Sequence, residues 1–234
     1  MHGMATEGRN WESLKTEMVE RGEGDAKWRE GKTAVYVFNA GEDVARVQKE
    51  AYALYMSENG LGPAAFPGLK QMEEEVIAMG LSLLHAPEQA AGSITSGGTD
   101  SITMAVKAAR DYARVTRGVH GQANIVAPFS AHPAFDKAAH LMDIEVRRIA
   151  VATDLKSDVN AMAEAVDEHT IMLVGSAPCF PYGLIDHIEA LSDLAIAQNT
   201  WLHVDACVGG YLAPFVRMNG ATIQPFDFEL AGVH

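Results

Sequence analysis

Three short stretches carry residue types that can do chemistry together. The first is Trp201–Tyr211, read W-L-H-V-D-A-C-V-G-G-Y. Its apolar run, Trp201 to Val204, reads as a buried parallel strand. It ends on Asp205 and then on a small-residue turn with Gly209 and Gly210. An acid at the carboxyl end of such a strand lies where open α/β sheets bind their ligands. A buried carboxylate without a partner is costly, so Asp205 needs a cationic or hydrogen-bonding neighbour. A protonated nitrogen in a bound heterocycle is one such partner; a helix cap or a structural hydrogen bond is another.

The second stretch, Gly92–Ser101 (G-S-I-T-S-G-G-T-D-S), runs into a helical repeat of Ile102, Ala105, Val106, Ala109 and Ala113. A Ser/Gly/Thr-rich loop entering a helix exposes unpaired N–H groups at the positive end of the dipole, which suits an anion. Gly97 and Gly98 let the backbone approach a phosphate, and the Thr99 and Ser101 hydroxyls can donate. A structural helix-capping turn has the same composition. Neither the Walker pattern nor G-x-G-x-x-G is present. The third stretch is Ser130-Ala131-His132-Pro133-Ala134-Phe135, which follows the strand-like Asn124–Pro128. It places His132 at a strand-to-helix junction, where it is either a stacking ring or a satisfied loop residue.

The elements that must position these groups alternate between strand and helix. Strands are expected at 124–128, 144–151, 171–176 and 201–204. Helices are expected from Glu42 to about Asn59, over 69–84, from 102 on, through about Leu141, over 158–169 with Ser157 or Asp158 as cap, and over 186–198. Short β/α connections imply a mostly parallel sheet with crossover helices. Glu73, Glu74 and Glu75 read as a solvated helix face. Residues 1–33 are polar and Gly/Glu-rich, with Trp11 and Trp28 as isolated anchors, and read as a mobile or partner-clasping arm. The domain division expected is an N-terminal arm over 1–41 and the N-terminal portion of a large α/β domain over 42–234.

Composition narrows the function. A formal net charge of −13 with no Lys/Arg cluster argues against a phosphate-backbone partner, hence against nucleic acid. No apolar run approaches the roughly 20 residues that span a bilayer. Two cysteines, Cys179 and Cys207, have neither C-x-x-C nor metal-ligand spacing, so reduced thiols and a cytoplasmic location are expected. The nine His include no H-E-x-x-H pair, and no catalytic metal is expected.

A phosphate, a stacking heterocycle and a ring nitrogen are three parts of one ligand, pyridoxal 5'-phosphate (PLP). The sequence also resembles the fold-type I PLP enzymes, and within them the sphingosine-1-phosphate lyase family, related to the group II amino-acid decarboxylases. The resemblance lies in Phe66-Pro67-Gly68-Leu69-Lys70, Thr95–Ser101, Ile125–Pro128 with Ser130-Ala131-His132, and Phe135–Ala139. It continues through Phe180-Pro181-Tyr182-Gly183, His203–Gly210 and Pro225–Phe228, so that it runs from about residue 34 to the C-terminus. It implies that Gly98 and Thr99 hold the cofactor phosphate, that His132 stacks on the pyridine ring and that Asp205 pairs with its nitrogen. His203, Ser176 and Cys207 match nearby family positions. The implied reaction is retro-aldol cleavage of the C2–C3 bond of phosphorylated long-chain bases, giving a fatty aldehyde and phosphoethanolamine. Amino-acid decarboxylation on the same cofactor, or a non-catalytic fragment, are the alternatives. A homodimer is also implied, as is a soluble protein that meets its substrate from the aqueous side.

Two departures stand out. The family's Schiff-base lysine follows a few residues beyond the position matched by Val233-His234, so that lysine is expected beyond His234 and the α/β domain is expected to be incomplete at its C-terminus. Lys107 and Lys137 lie in helical patterns instead. In Asn59-Gly60-Leu61-Gly62-Pro63, Gly62 takes the place of a family His near the substrate phosphate, which removes a charge and a donor. An altered substrate, or a phosphate held by other groups, would follow.

Overall fold

A computed structural model describes residues 7–31 and 37–234. The parts of the expected arm at 1–6 and 32–36, and the start of the resembling span at 34–36, lie outside the described residues. Two compact units divide between Leu69 and Lys70.

In the first unit, helix α1 (Trp11–Gly22) forms where sequence reasoning placed no element. Its signal is a cap rather than an apolar stripe: the Asn10 side chain accepts hydrogen bonds from the N–H groups of Glu12 and Ser13, at 3.0 and 3.4 Å. Glu17 pairs with both Arg9 and Arg21. A single 3-10 turn, Trp28–Glu30, follows, with the Arg29 guanidinium 4.3 Å from the Trp28 ring centroid. Helix α2 (Glu42–Leu54) ends five residues before the expected Asn59. Asn59 closes a turn of its own by accepting the Leu61 N–H at 3.1 Å, which competes with helix there.

The second unit is a four-stranded parallel sheet with helices on both faces. Its elements are α3 (Pro67–Leu83, whose first three residues precede the unit boundary), α4 (Gly98–Arg117), β1 (Asn124–Pro128), α5 (Ala134–Leu141), β2 (Glu145–Ile149), α6 (Val159–Glu164), β3 (Thr170–Ser176), α7 (Ile188–Ala197), β4 (Trp201–Asp205) and α8 (Ala213–Met218). The strand order is β2-β1-β3-β4, with every neighbouring pair parallel. Side-chain alternation splits the core in two. Ile125, Ala127, Met172 and Val174 pack with Ile102, Val106, Ala109 and Phe135 from α4 and α5. Val126, Leu173 and Leu202 pack with Met162, Ile188, Leu191 and Phe226 on the opposite face.

β1 and β3 are buried throughout, as central strands require. β4 is not the fully buried strand expected: Leu202 alone is buried, because β4 lies at the end of the strand order. Val233 bridges to Leu202 and the His234 N–H donates to the Leu202 carbonyl at 3.0 Å. α6 is half the length expected. Asp158 caps it through the Ala161 N–H. Beyond Glu164, Asp167 and Thr170 bond each other and the nearby backbone, and these local bonds displace the helix. α8 was also not foreseen. Glu73, Glu74 and Glu75 are exposed on α3, as a solvated face should be. Among the described residues, no helix is long and apolar enough to cross a membrane.

Candidate active site

The carboxyl ends of β1, β3 and β4 share one sheet edge, and the N-terminus of α4 comes to it. In register, Ser176 at the end of β3 sits beside Asp205 at the end of β4. A cavity of about 420 Å³ opens there, lined by Gly98, Thr99, Ser101, Ile102, His132, His203, Val204, Asp205, Ala206 and Cys207. Five of the six candidate residues, Gly98, Thr99, His132, His203 and Asp205, therefore meet at one wall. Ser176 does not line it. It is buried, and its N–H donates to Asp186 Oδ2 at 2.9 Å.

α4 starts at Gly98 behind Gly97, with no side-chain cap, so the N–H groups of its first turn have no intrahelical partner. The Ser101 N–H is the first to be taken, by the Gly97 carbonyl at 3.0 Å. Asp100, an acid at this positive end, has its Oδ2 engaged by the Ser96 N–H and hydroxyl at 3.2 and 3.1 Å. The Ser101 hydroxyl lies 2.6 Å from Thr95 Oγ1. The Thr95 hydroxyl proton goes to the Gly97 carbonyl, so Ser101 donates to Thr95 rather than into the cavity. Thr99 is thus left as the better hydroxyl donor of the pair named from the sequence. A β-carbon added at Gly98 would stand 3.8 Å from Cys207 Sγ, which shows how closely the α4 start approaches the turn after β4.

His132 follows the Pro128 end of β1. Its Nδ1 accepts the Ala134 N–H at 3.1 Å, so Nδ1 carries no proton and the neutral ring is the Nε2–H tautomer. The Phe180 ring meets it edge to face, with centroids 5.4 Å apart. His203 and Asp205, two residues apart on β4, share a face. Phe135 packs edge-on to His203 at 5.6 Å, and burial holds the His203 imidazole below its ordinary value against the opposing pull of Asp205. Asp205 Oδ1 accepts the Cys207 N–H at 3.1 Å; Oδ2 receives no hydrogen bond from the described residues. Burial first, and then the Asp205 charge, push the Cys207 thiol up, which disfavours a reactive thiolate there.

This donor set fits PLP in three respects. Unpaired helix N–H groups face a phosphate, a neutral imidazole offers a ring face, and a carboxylate with one open oxygen stands ready for a protonated ring nitrogen. None of the lining residues is a lysine; Lys107 and Lys137 lie in α4 and α5. Sequence reasoning gave no role to Phe180, Phe135 or Asp186. The first two carry no spacing signal, and Asp186 shows itself only through its bonds to the backbones of Ser157 and Ser176.

Comparison with known proteins agrees with the geometry. The chain is 41% identical to mouse sphingosine-1-phosphate lyase 1 over 210 residues, which is 89% of this chain and 37% of that protein. It is 43% identical to the rice sphingosine-1-phosphate lyase over 218 residues, covering 89% of this chain and 40% of the relative. The solved sphingosine-1-phosphate lyase of Burkholderia pseudomallei superposes with a TM-score of 0.93 at 36% identity, covering 100% of this chain and 55% of that one. The chain thus spans about two fifths of the length of the curated relatives it matches. The model of the pyridoxal-dependent decarboxylase conserved domain matches residues 25–227, and the chain belongs to that family.

Proposed function

We propose that this chain carries the cofactor cradle of a PLP-dependent lyase that cleaves the C2–C3 bond of phosphorylated long-chain bases to a fatty aldehyde and phosphoethanolamine. The observation that carries this reading is the convergence of the α4 N-terminus, the His132 ring and the Asp205 carboxylate on one cavity. Identity of about 40% to sphingosine-1-phosphate lyases points to the reaction.

When bound, PLP supplies an electron sink for the pair released as the carbon–carbon bond breaks. The Gly98 and Thr99 N–H groups, with the Thr99 hydroxyl, bind the phosphate dianion at the positive end of α4. His132 offers its neutral ring as the stacking surface, and Phe180 braces that ring edge-on. Asp205 Oδ2 accepts from the protonated ring nitrogen and holds that proton in place. His203, kept neutral by burial, puts no competing positive charge beside Asp205. Ile102, Val204 and Ala206 wall the cavity with apolar surface and exclude water.

The same proposal places the covalent lysine outside residues 1–234. It assigns 1–41 to an N-terminal arm and 42–234 to the N-terminal portion of the PLP domain, in a protein that forms a homodimer. With Gly62 in place of a family His, either other groups hold the substrate phosphate or the substrate differs. Cys179 and Cys207 are both free thiols, which supports a cytoplasmic location. The family description favours one second reading, amino-acid decarboxylation at the same site. Products separate the two. Purified full-length protein with PLP and a phosphorylated long-chain base should release fatty aldehyde and phosphoethanolamine in equal amounts. Carbon dioxide release from amino acids with no aldehyde would transfer the assignment to the decarboxylase reading.

A further inference from the structure

We infer that Arg148 is a positioning residue for His132. The inference rests on the reading of His132 as the ring that stacks on the cofactor. Arg148 lies on β2, opposite Ala127 in register, and has no place in the cavity wall. Its guanidinium reaches across the end of β1 into the loop that carries His132. Nη1 donates to the Pro128 carbonyl at 2.8 Å and to the Ala131 carbonyl at 3.0 Å. Nη2 donates to the carbonyl of His132 itself at 3.3 Å and to Asp136 Oδ2 at 2.5 Å. Nε donates to Asp136 Oδ1 at 3.3 Å.

All five guanidinium N–H donors are therefore used, and every acceptor lies between the last residue of β1 and the first turn of α5. Apart from Arg148, the Phe129 N–H ties the start of the loop to the Ile149 carbonyl of β2 at 2.8 Å, three residues before His132. His132 contributes its Nδ1 to the Ala134 N–H and its carbonyl to the Phe135 N–H, bonds that stay within the loop and do not anchor it to the sheet. The Arg148 side chain is 15% exposed and its bonds to the three carbonyls are partly buried, whereas Asp136 stands half exposed. Only a planar fork can serve three carbonyls and a bidentate carboxylate at once; a lysine ammonium has three donors and no fixed plane. The clip thus fixes where the His132 ring stands relative to Asp205, which sits on a strand two places away in the sheet from β1.

The test uses the chain labelled with ¹⁵N-histidine, at a pH where the imidazoles are neutral, with His132→Gln to assign the signal. In the parent, the ring nitrogens of His132 should report the pinned Nε2–H tautomer. In Arg148→Lys and Arg148→Met they should move toward the average of both tautomers, and the dissociation constant for PLP should rise tenfold or more. Arg148→Lys keeps the charge beside Asp136 and serves if Arg148→Met fails to fold. A residue that only stabilised the fold would lower the melting temperature and leave the tautomer of the folded protein unchanged; that result overturns the inference. A loosened His132 with unchanged PLP affinity would uphold the clip and overturn the stacking role of His132.

Discussion

Replacing Asp205 with asparagine isolates the charge at the centre of the site. Asparagine has the same shape and keeps Oδ1 as acceptor for the Cys207 N–H, now 3.1 Å away, so the turn after β4 retains its bond. Asp205 is only partly buried and pairs with no cation among the described residues, so the folded protein loses little. What changes is the open Oδ2. The amide donates where the carboxylate accepted, which inverts the hydrogen bond that a protonated ring nitrogen requires. A hydrogen bond to a charged group contributes about 1.5–3 kcal/mol, which corresponds to roughly a 10- to 150-fold loss of affinity. PLP titration by calorimetry gives the dissociation constant, and thermal melting in the absence of PLP gives the fold control. A change of less than about threefold, with matched melting curves, would refute the role of Asp205 as partner of the ring nitrogen, since it lies below the weakest charged hydrogen bond.

Three further outcomes are expected. Gly98→Ala should fold at least as well as the parent, since its methyl meets only Cys207 Sγ at 3.8 Å and alanine favours helix; PLP or inorganic phosphate affinity should fall about tenfold or more, as the methyl obstructs close approach to the first-turn N–H groups. Gly209→Ala should destabilise severely, by about 3 kcal/mol or more, because its methyl would stand 2.1 Å from the Ala177 carbonyl oxygen, a backbone atom that cannot swing away; urea unfolding measures it. His203 provides the pH dependence. Its folded value lies below the ordinary 6.5, so the unfolded chain binds the extra proton first; its contribution is complete above about 6.5 and is lost as pH falls below that. Melting temperature followed from pH 8 to 5 should drop less steeply in His203→Gln than in the parent.

Much of this was legible in the sequence where one physical signal dominates. β1 was placed at its observed bounds because Asn124–Pro128 is short, apolar and punctuated by a proline. The loop that opens α4 was legible from Gly97-Gly98 before a 3.6-residue apolar repeat, although the helix starts at Gly98, four residues ahead of the expected 102, and the resemblance singled out five residues that the cavity gathers. Where local bonds compete with periodicity, the reading overran: Asp167 and Thr170 end α6 early, and Asn59 lies beyond the end of α2. Ser101 was credited with a free hydroxyl because composition does not show that Thr95, six residues back, already holds it. Arg148 left no trace at all. An arginine on a strand reads as surface charge until the fold brings Pro128, Ala131, His132 and Asp136 around it.

The measurement that bears most directly on the central claim is a crystal structure of the protein with PLP bound. The phosphate should lie against the N–H groups of Gly98 and Thr99, the pyridine ring against His132, and the ring nitrogen within hydrogen-bond distance of Asp205 Oδ2. PLP found with its phosphate away from the start of α4, or its nitrogen away from Asp205, would contradict the account.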